Sequence, residues 1–210
     1  MDIRFQNAAG GDWSADCVLA FAFEKDEPSA SSPALWERAP WLAISPGLRD
    51  FTGKRDEQSS LYGHPDLPLP RVLLSGLGPR EKCTLDIFRD CVAKAVQACR
   101  AKGFASLGLP VENLECLAGR FELSRENLIG EAVVAAKLSL YRTTAYRSEK
   151  DQDAPADPNR LSLLFTEPQT PDADHRAARV AEAAAAGVIL AQDLSNGQAN
   201  HRTPSVLADE

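Results

Sequence analysis

The chain has 210 residues, 44% apolar and 25% charged, a balance that suits a soluble globular fold and excludes disorder and collagen-like repetition. Acidic residues outnumber basic ones by 30 to 23, for a formal net charge of −7. The basic residues are scattered (Lys54 and Arg55, Arg80 and Lys82, Arg100 and Lys102, Arg142 and Arg147). A nucleic-acid binder draws much of its affinity from phosphate contacts, so this charge argues against nucleic acid as the main partner.

The first strands are expected at Ile3 to Phe5 and Cys17 to Phe23, joined through a Gly-Gly-Asp turn at Gly10 to Asp12. The N-terminus lacks a basic stretch leading into an apolar one. The run from Cys17 to Phe23 is far short of the roughly 20 residues that span a bilayer, so it reads as a buried strand of a cytoplasmic protein. A Pro/Ser-rich loop from Pro28 to Pro33 precedes Trp36, Trp41 and Leu42, which suggest a short helix on the core. Leu61 and Tyr62 suit a short strand, and Arg71 to Leu77 is a near-continuous apolar run, as in a strand covered on both faces.

A helix is predicted from Thr84 to Lys102, with Thr84 as N-cap, Asp86 against the positive helix end and Gly103 as the stop. Its apolar stripe is Phe88, Val92, Ala95, Val96 and Cys99. Phe104 to Leu109 reads as the next strand, ending at Pro110. Ser124 caps a second helix running to about Tyr141, with Leu128, Ala132, Val133, Ala136 and Leu140 inward and Gly130 marking a close neighbour. A polar loop from Ser148 to Asn159 leads to a strand at Leu161 to Phe165. An alanine-dominated helix from Pro171 to about Leu194 carries Val180, Ala184, Val188 and Ala191 on one side; at roughly 1.5 Å per residue it exceeds 30 Å. Alternating strands and helices of this kind predict an α/β layered domain with a parallel or mixed sheet. Thr203-Pro204 is a helix start followed by only six residues, so the expectation is a chain that stops inside an element.

Chemistry-bearing residues are sparse. His64, His175 and His201 share no metal-ligand spacing with another His or Cys, which favours exposed or capping roles. The five cysteines, Cys17, Cys83, Cys91, Cys99 and Cys116, are odd in number and lack a CxxC, so core packing in a reducing compartment is expected. Gly76-Leu77-Gly78 follows a strand and precedes a helix, where phosphate-cradling loops sit, but it lacks a third glycine, and Pro79 removes an amide. The acidic pairs Asp26-Glu27 and Asp56-Glu57 read as solvated surface, and no GxSxG elbow occurs. No catalytic, metal-ligating or ligand-binding residue is assigned in this chain.

Four segments, in order, resemble the leucyl aminopeptidase family of two-metal exopeptidases. They are Phe51-Thr52-Gly53-Lys54; Arg71-Val72-Leu73-Leu74 with Gly76-Leu77-Gly78 and Arg80-Glu81-Lys82; Glu131 to Ser148 with Tyr141-Arg142 and Tyr146-Arg147-Ser148; and Ala191 to Leu207 with Asp193-Leu194, Asn196, Asn200 and Thr203-Pro204. The resemblance implies a macro-domain-like mixed sheet flanked by helices and followed by a long linker helix. Implied bounds are 1–168 for the N-terminal α/β domain, 169–195 for the linker helix and 196–210 for a truncated start of the peptidase domain. It further implies an assembly or regulatory role beside its own C-terminal peptidase domain, within a hexamer. The two divalent metals, zinc or manganese, would belong to that other domain, so this chain would need no cofactor and would be inactive alone. The alternative is a stand-alone macro-type module binding ADP-ribose or a related phosphate ligand.

Overall fold

The computed structural model describes residues 1–7, 13–142 and 155–196. The Gly10 to Asp12 turn, Tyr146-Arg147-Ser148, His201, Asn200 and Thr203-Pro204 lie outside the described residues.

Six strands form one sheet: β1 (Asp2–Gln6), β2 (Cys17–Ala22), β3 (Gln58–Tyr62), β4 (Arg71–Gly76), β5 (Ser106–Pro110) and β6 (Arg160–Leu164), in the order β1-β6-β5-β2-β4-β3. All neighbours are parallel except β3 and β4. The sheet is therefore mixed, as expected.

β2 is buried along its whole length because both of its faces are covered, and the pleat sends alternate side chains to two cores. Cys17, Leu19, Phe21 and Phe23 enter a core shared with α4 (Leu85–Ala101), α5 (Val111–Ala118), α6 (Arg125–Leu138) and α7 (Asp172–Asn196). Val18 and Ala20 enter a second core with Trp13, Val72, Leu74 and the short helix α2 (Pro33–Arg38). The Pro28–Pro33 segment departs from the expected loop: α1 (Pro28–Ser31) and α2 abut there, each with proline in its first turn, where the missing amide would be unpaired anyway. A 3-10 turn (Pro40–Ile44) and α3 (Pro46–Asp50) follow.

The two long-helix starts agree with the sequence. Thr84 Oγ1 accepts from the Ile87 amide and Ser124 Oγ from the Asn127 amide, and Gly103 takes φ +72° past the end of α4. All of Phe88, Val92, Ala95, Val96 and Cys99 are buried. Four cysteines are buried as expected, but Cys116 is exposed.

α7 spans 25 residues, about 37 Å at 1.5 Å per residue. Its packed side corrects the sequence reading. Asp174, Ala178, Ala181 and Ala185 are buried, whereas Val180, Ala184, Val188 and Ala191 are exposed. Gly130 of α6 faces this helix, since a Cβ there would lie 3.9 Å from the Ala177 carbonyl and the Ala181 methyl. No helix among the described residues is long and apolar enough to cross a membrane.

Candidate functional site

In open parallel sheets ligands bind beyond the carboxyl ends of the strands, where neighbouring strands part. Here that place lies between β2 and β5, which pair only at Cys17–Leu107 and Val18–Gly108. Beyond Val18 the gap is occupied by Asn113 of α5, a helix that begins immediately after β5. Asn113 is completely buried. Its Oδ1 accepts from the Phe21 amide and its Nδ2 donates to the Phe21 carbonyl, both at 2.9 Å, so one side-chain amide replaces the missing strand partner. The same Nδ2 reaches the Ser31 carbonyl at 3.3 Å.

The preceding residue closes the crevice further. Glu112 accepts from the Leu35 amide of α2 at 3.1 Å. Burial pushes its carboxyl above the ordinary value, against the Leu35 and Ala34 amides and the charge of Arg38. At the end of β6, Trp13 Nε1 donates to the Phe165 carbonyl at 3.0 Å, with Arg38 over the indole. The helix α5 is not among the elements expected from the sequence. Its signal was present in Val111, Leu114 and Leu117 at helical spacing behind Pro110, with one polar residue, Asn113, on the buried side.

The Gly76-Leu77-Gly78 turn is equally committed. The Gly76 amide donates to the Glu57 carbonyl (2.8 Å), Leu77 to Ala22 (2.9 Å) and Gly78 to Gly53 (2.9 Å), while Pro79 has no amide. The glycines are required by backbone approach. A Cβ on Gly76 would stand 2.1 Å from the Lys54 carbonyl oxygen, and one on Gly53 2.4 Å from that of Phe23. Phe51-Thr52-Gly53-Lys54 and Gly76-Leu77-Gly78, separate in sequence, are thus two faces of one contact.

Glu57 completes this turn from a partly exposed position in the loop. Its carboxylate accepts from the Thr52 hydroxyl (2.8 Å) and amide (3.1 Å) and from the Lys54 amide (2.9 Å). Burial works against the charged form, but these donors and the Gly53 amide hold the carboxyl below its ordinary value. Asp26 pairs with Arg80, whose guanidinium also covers the Phe23 ring, and Asp56 pairs with Lys94. Arg120 donates to the carbonyls of Arg80 and Glu81.

A second pair of sequence segments also meets in space. Tyr141 Oη donates to Asp193 at 2.8 Å and accepts from Asn196 Nδ2 at 3.1 Å, tying the end of α6 to the far half of α7. At the opposite end of that helix pair, Arg125 binds Glu167 at 2.6 Å and the fully buried Asp174 at 2.7 Å.

His64 pairs with exposed Asp66 and His175 stacks on Phe5. Among the described residues no three His, Cys, Asp or Glu side chains gather as a metal site, so the two divalent metals implied by the resemblance have no donor set there. The residues singled out in the sequence are brought together as scaffold contacts: backbone docking and helix anchoring.

Comparison with known proteins fits this picture. The family model "Cytosol aminopeptidase family, N-terminal domain" matches residues 19–150. The chain is similar to a probable cytosol aminopeptidase of Desulfovibrio desulfuricans, 46% identical over 209 residues, covering 100% of this chain and 41% of the relative. It is also similar to one of Oleidesulfovibrio alaskensis, 42% identical over 213 residues, covering 100% and 40%. Among solved structures, a mutant tomato leucine aminopeptidase shares the fold with TM-score 0.68 at 22% identity, covering 100% of this chain and 41% of that one. The bottromycin maturation enzyme BotP in complex with Mn gives TM-score 0.61 at 25% identity, covering 93% and 35%. The chain thus spans about 40% of the length of the curated relatives it matches.

Proposed function

Because the chain belongs to the cytosol aminopeptidase family, within the N-terminal domain of that family, we propose that it is the non-catalytic assembly or regulatory part of a leucyl aminopeptidase. The observation that carries this reading is the coverage: all of the chain aligns with a relative at 46% identity, yet it accounts for 41% of that relative's length. Removal of N-terminal residues from peptides, with two divalent metals (zinc or manganese), is assigned to the remainder of the longer protein.

The proposed organisation is an α/β domain over 1–168, a linker helix over 169–195 and the first residues of the peptidase part over 196–210. The proposed setting is a cytoplasmic hexamer. What supports an architectural role is the use made of the family-like residues: Gly53 with Gly78, and Tyr141 with Asp193 and Asn196, hold the scaffold together. The other reading, an ADP-ribose module, has little physical support, because the Gly76–Gly78 amides and the gap beside Phe21 are already filled by the chain itself.

The test is hydrolysis of leucine p-nitroanilide by the 210-residue chain with added Mn²⁺ or Zn²⁺. The expected rate is that of buffer alone, while the longer coding sequence restores turnover. Turnover proportional to the concentration of the 210-residue chain would overturn the proposal.

A further inference from the structure

β1 is an edge strand, with β6 on one side and, among the described residues, no strand on the other. The Asp2 amide donates to the Asn159 carbonyl and the Phe165 amide to the Gln6 carbonyl, both at 2.7 Å. Even-numbered residues of β1 therefore aim their backbone groups at β6, and alternation turns those of Ile3 and Phe5 outward. An open edge of this kind is a template for another strand. The opposite edge strand, β3, is instead held against α3, where Ser59 Oγ donates to the Gly47 carbonyl at 2.8 Å. The two faces of β1 also differ. Met1, Ile3 and Phe5 pack towards the main core, beside an open cleft of about 590 Å³ walled by Thr170, His175 and Arg179. By the same alternation Asp2 and Arg4 stand on the other face, where they pair loosely at 3.5 Å with side chains 74% and 66% exposed.

We propose that β1 pairs antiparallel with β1 of a second copy of this chain, about a two-fold axis at Ile3, so that one sheet runs through both molecules. In that register the two Ile3 residues exchange their outward amides and carbonyls, and Phe5 does the same with Met1 of the other copy. Asp2 then lies opposite Arg4 in both directions. These are non-hydrogen-bonded positions, where facing side chains approach most closely, so two ion pairs form across the axis. Centring the pairing on Asp2 or on Arg4 would set like charges opposite each other. The charge pattern of β1 thus selects one register and is complementary to itself. On the other face, Met1 and Ile3 of the second copy enter the cleft beside Phe5 and His175, whose rings stack at 3.8 Å. This contact does not depend on the peptidase reading.

The test is sedimentation equilibrium of the 210-residue chain from micromolar to millimolar concentration, where a monomer–dimer equilibrium is expected. Ile3→Pro removes an outward amide and spares the bonds to β6, so it abolishes the dimer while circular dichroism stays native. Asp2→Arg and Arg4→Asp, both at exposed positions, each set like charges across the axis and weaken association about tenfold or more. An equimolar mixture of those two variants restores opposite charges at both positions and recovers a mixed dimer of parent strength. The mixture decides the register even where Ile3→Pro unfolds the chain. A parent that stays monomeric throughout, a dimer retained by folded Ile3→Pro, or failure of the mixture to associate overturns the assignment.

Discussion

The side-chain amide of Asn113 hydrogen-bonds both the amide and the carbonyl of Phe21, at 2.9 Å each, and so stands in for a β-strand at the point where β2 and β5 separate. A gap that serves as a ligand crevice in open sheets is thereby closed with no buried backbone group of Phe21 left unpaired. The chain's own side chain occupies the position a ligand would need.

Asn113→Ala removes the side-chain partner of the Phe21 amide and leaves the Phe21 carbonyl only the Ser31 hydroxyl, at 3.4 Å. An unsatisfied buried donor beside a weakened acceptor costs about 1–3 kcal/mol. Urea unfolding followed by circular dichroism measures this directly. A midpoint unchanged from the parent would show that Phe21 finds other partners.

Gly76→Ala places a methyl 2.1 Å from the Lys54 carbonyl oxygen, a backbone atom that cannot swing away. The expected loss is at least about 3 kcal/mol, in the range of core overpacking and backbone strain. Gly119→Ala is the internal contrast. Nothing lies within 4 Å of its Cβ position, and its backbone is right-handed helical, so a gain of about 0.4–1 kcal/mol is expected from the less flexible unfolded chain. Equal melting temperatures for the two variants would contradict the two-turn contact.

The Glu57 carboxyl lies below its ordinary value of 4.5 in the folded chain. Its contribution to stability is therefore present above the unfolded value and is lost as pH falls through the folded one. Glu57→Gln should be less stable than the parent at neutral pH, with the difference shrinking below about pH 4.5 as the carboxyl protonates in both states. Parallel stability curves from pH 7 to pH 3 would remove the electrostatic role.

Arg125→Ala leaves Asp174 as an uncompensated buried carboxylate, which costs about 3–5 kcal/mol. Burial already pushes the Asp174 carboxyl above its ordinary value, against the pull of Arg125. Hydrogen exchange should rise first in the opening turns of α6 and α7. The double replacement Arg125→Met with Asp174→Leu should recover most of the loss, because a matched apolar pair needs no counter-charge. Equal instability of single and double variants would indicate lost packing instead.

Calorimetry with ADP-ribose should give no heat at millimolar ligand, since the Gly76, Leu77 and Gly78 amides already have partners between 2.8 and 2.9 Å. Micromolar binding would mean that the turn rearranges.

The local elements were legible in the sequence because their causes are local. Thr84 and Ser124 each start a helix through a bond from the amide three residues on, and the unbroken apolar run of β2 states that both of its faces are covered. The family resemblance was also legible, because glycines at 53, 76 and 78 keep their places in chain order. What tertiary structure decided is which distant residues meet. Nothing in periodicity says that Gly76 is a glycine on account of Lys54, that the exposed side of α7 carries Val180 and Val188 while the alanines at 178, 181 and 185 pack, or that Asn113 completes the pairing of Phe21. Those outcomes depend on steric exclusion and hydrogen-bond satisfaction between segments up to 92 residues apart, and sequence patterns carry no term for either until the sheet order brings them together.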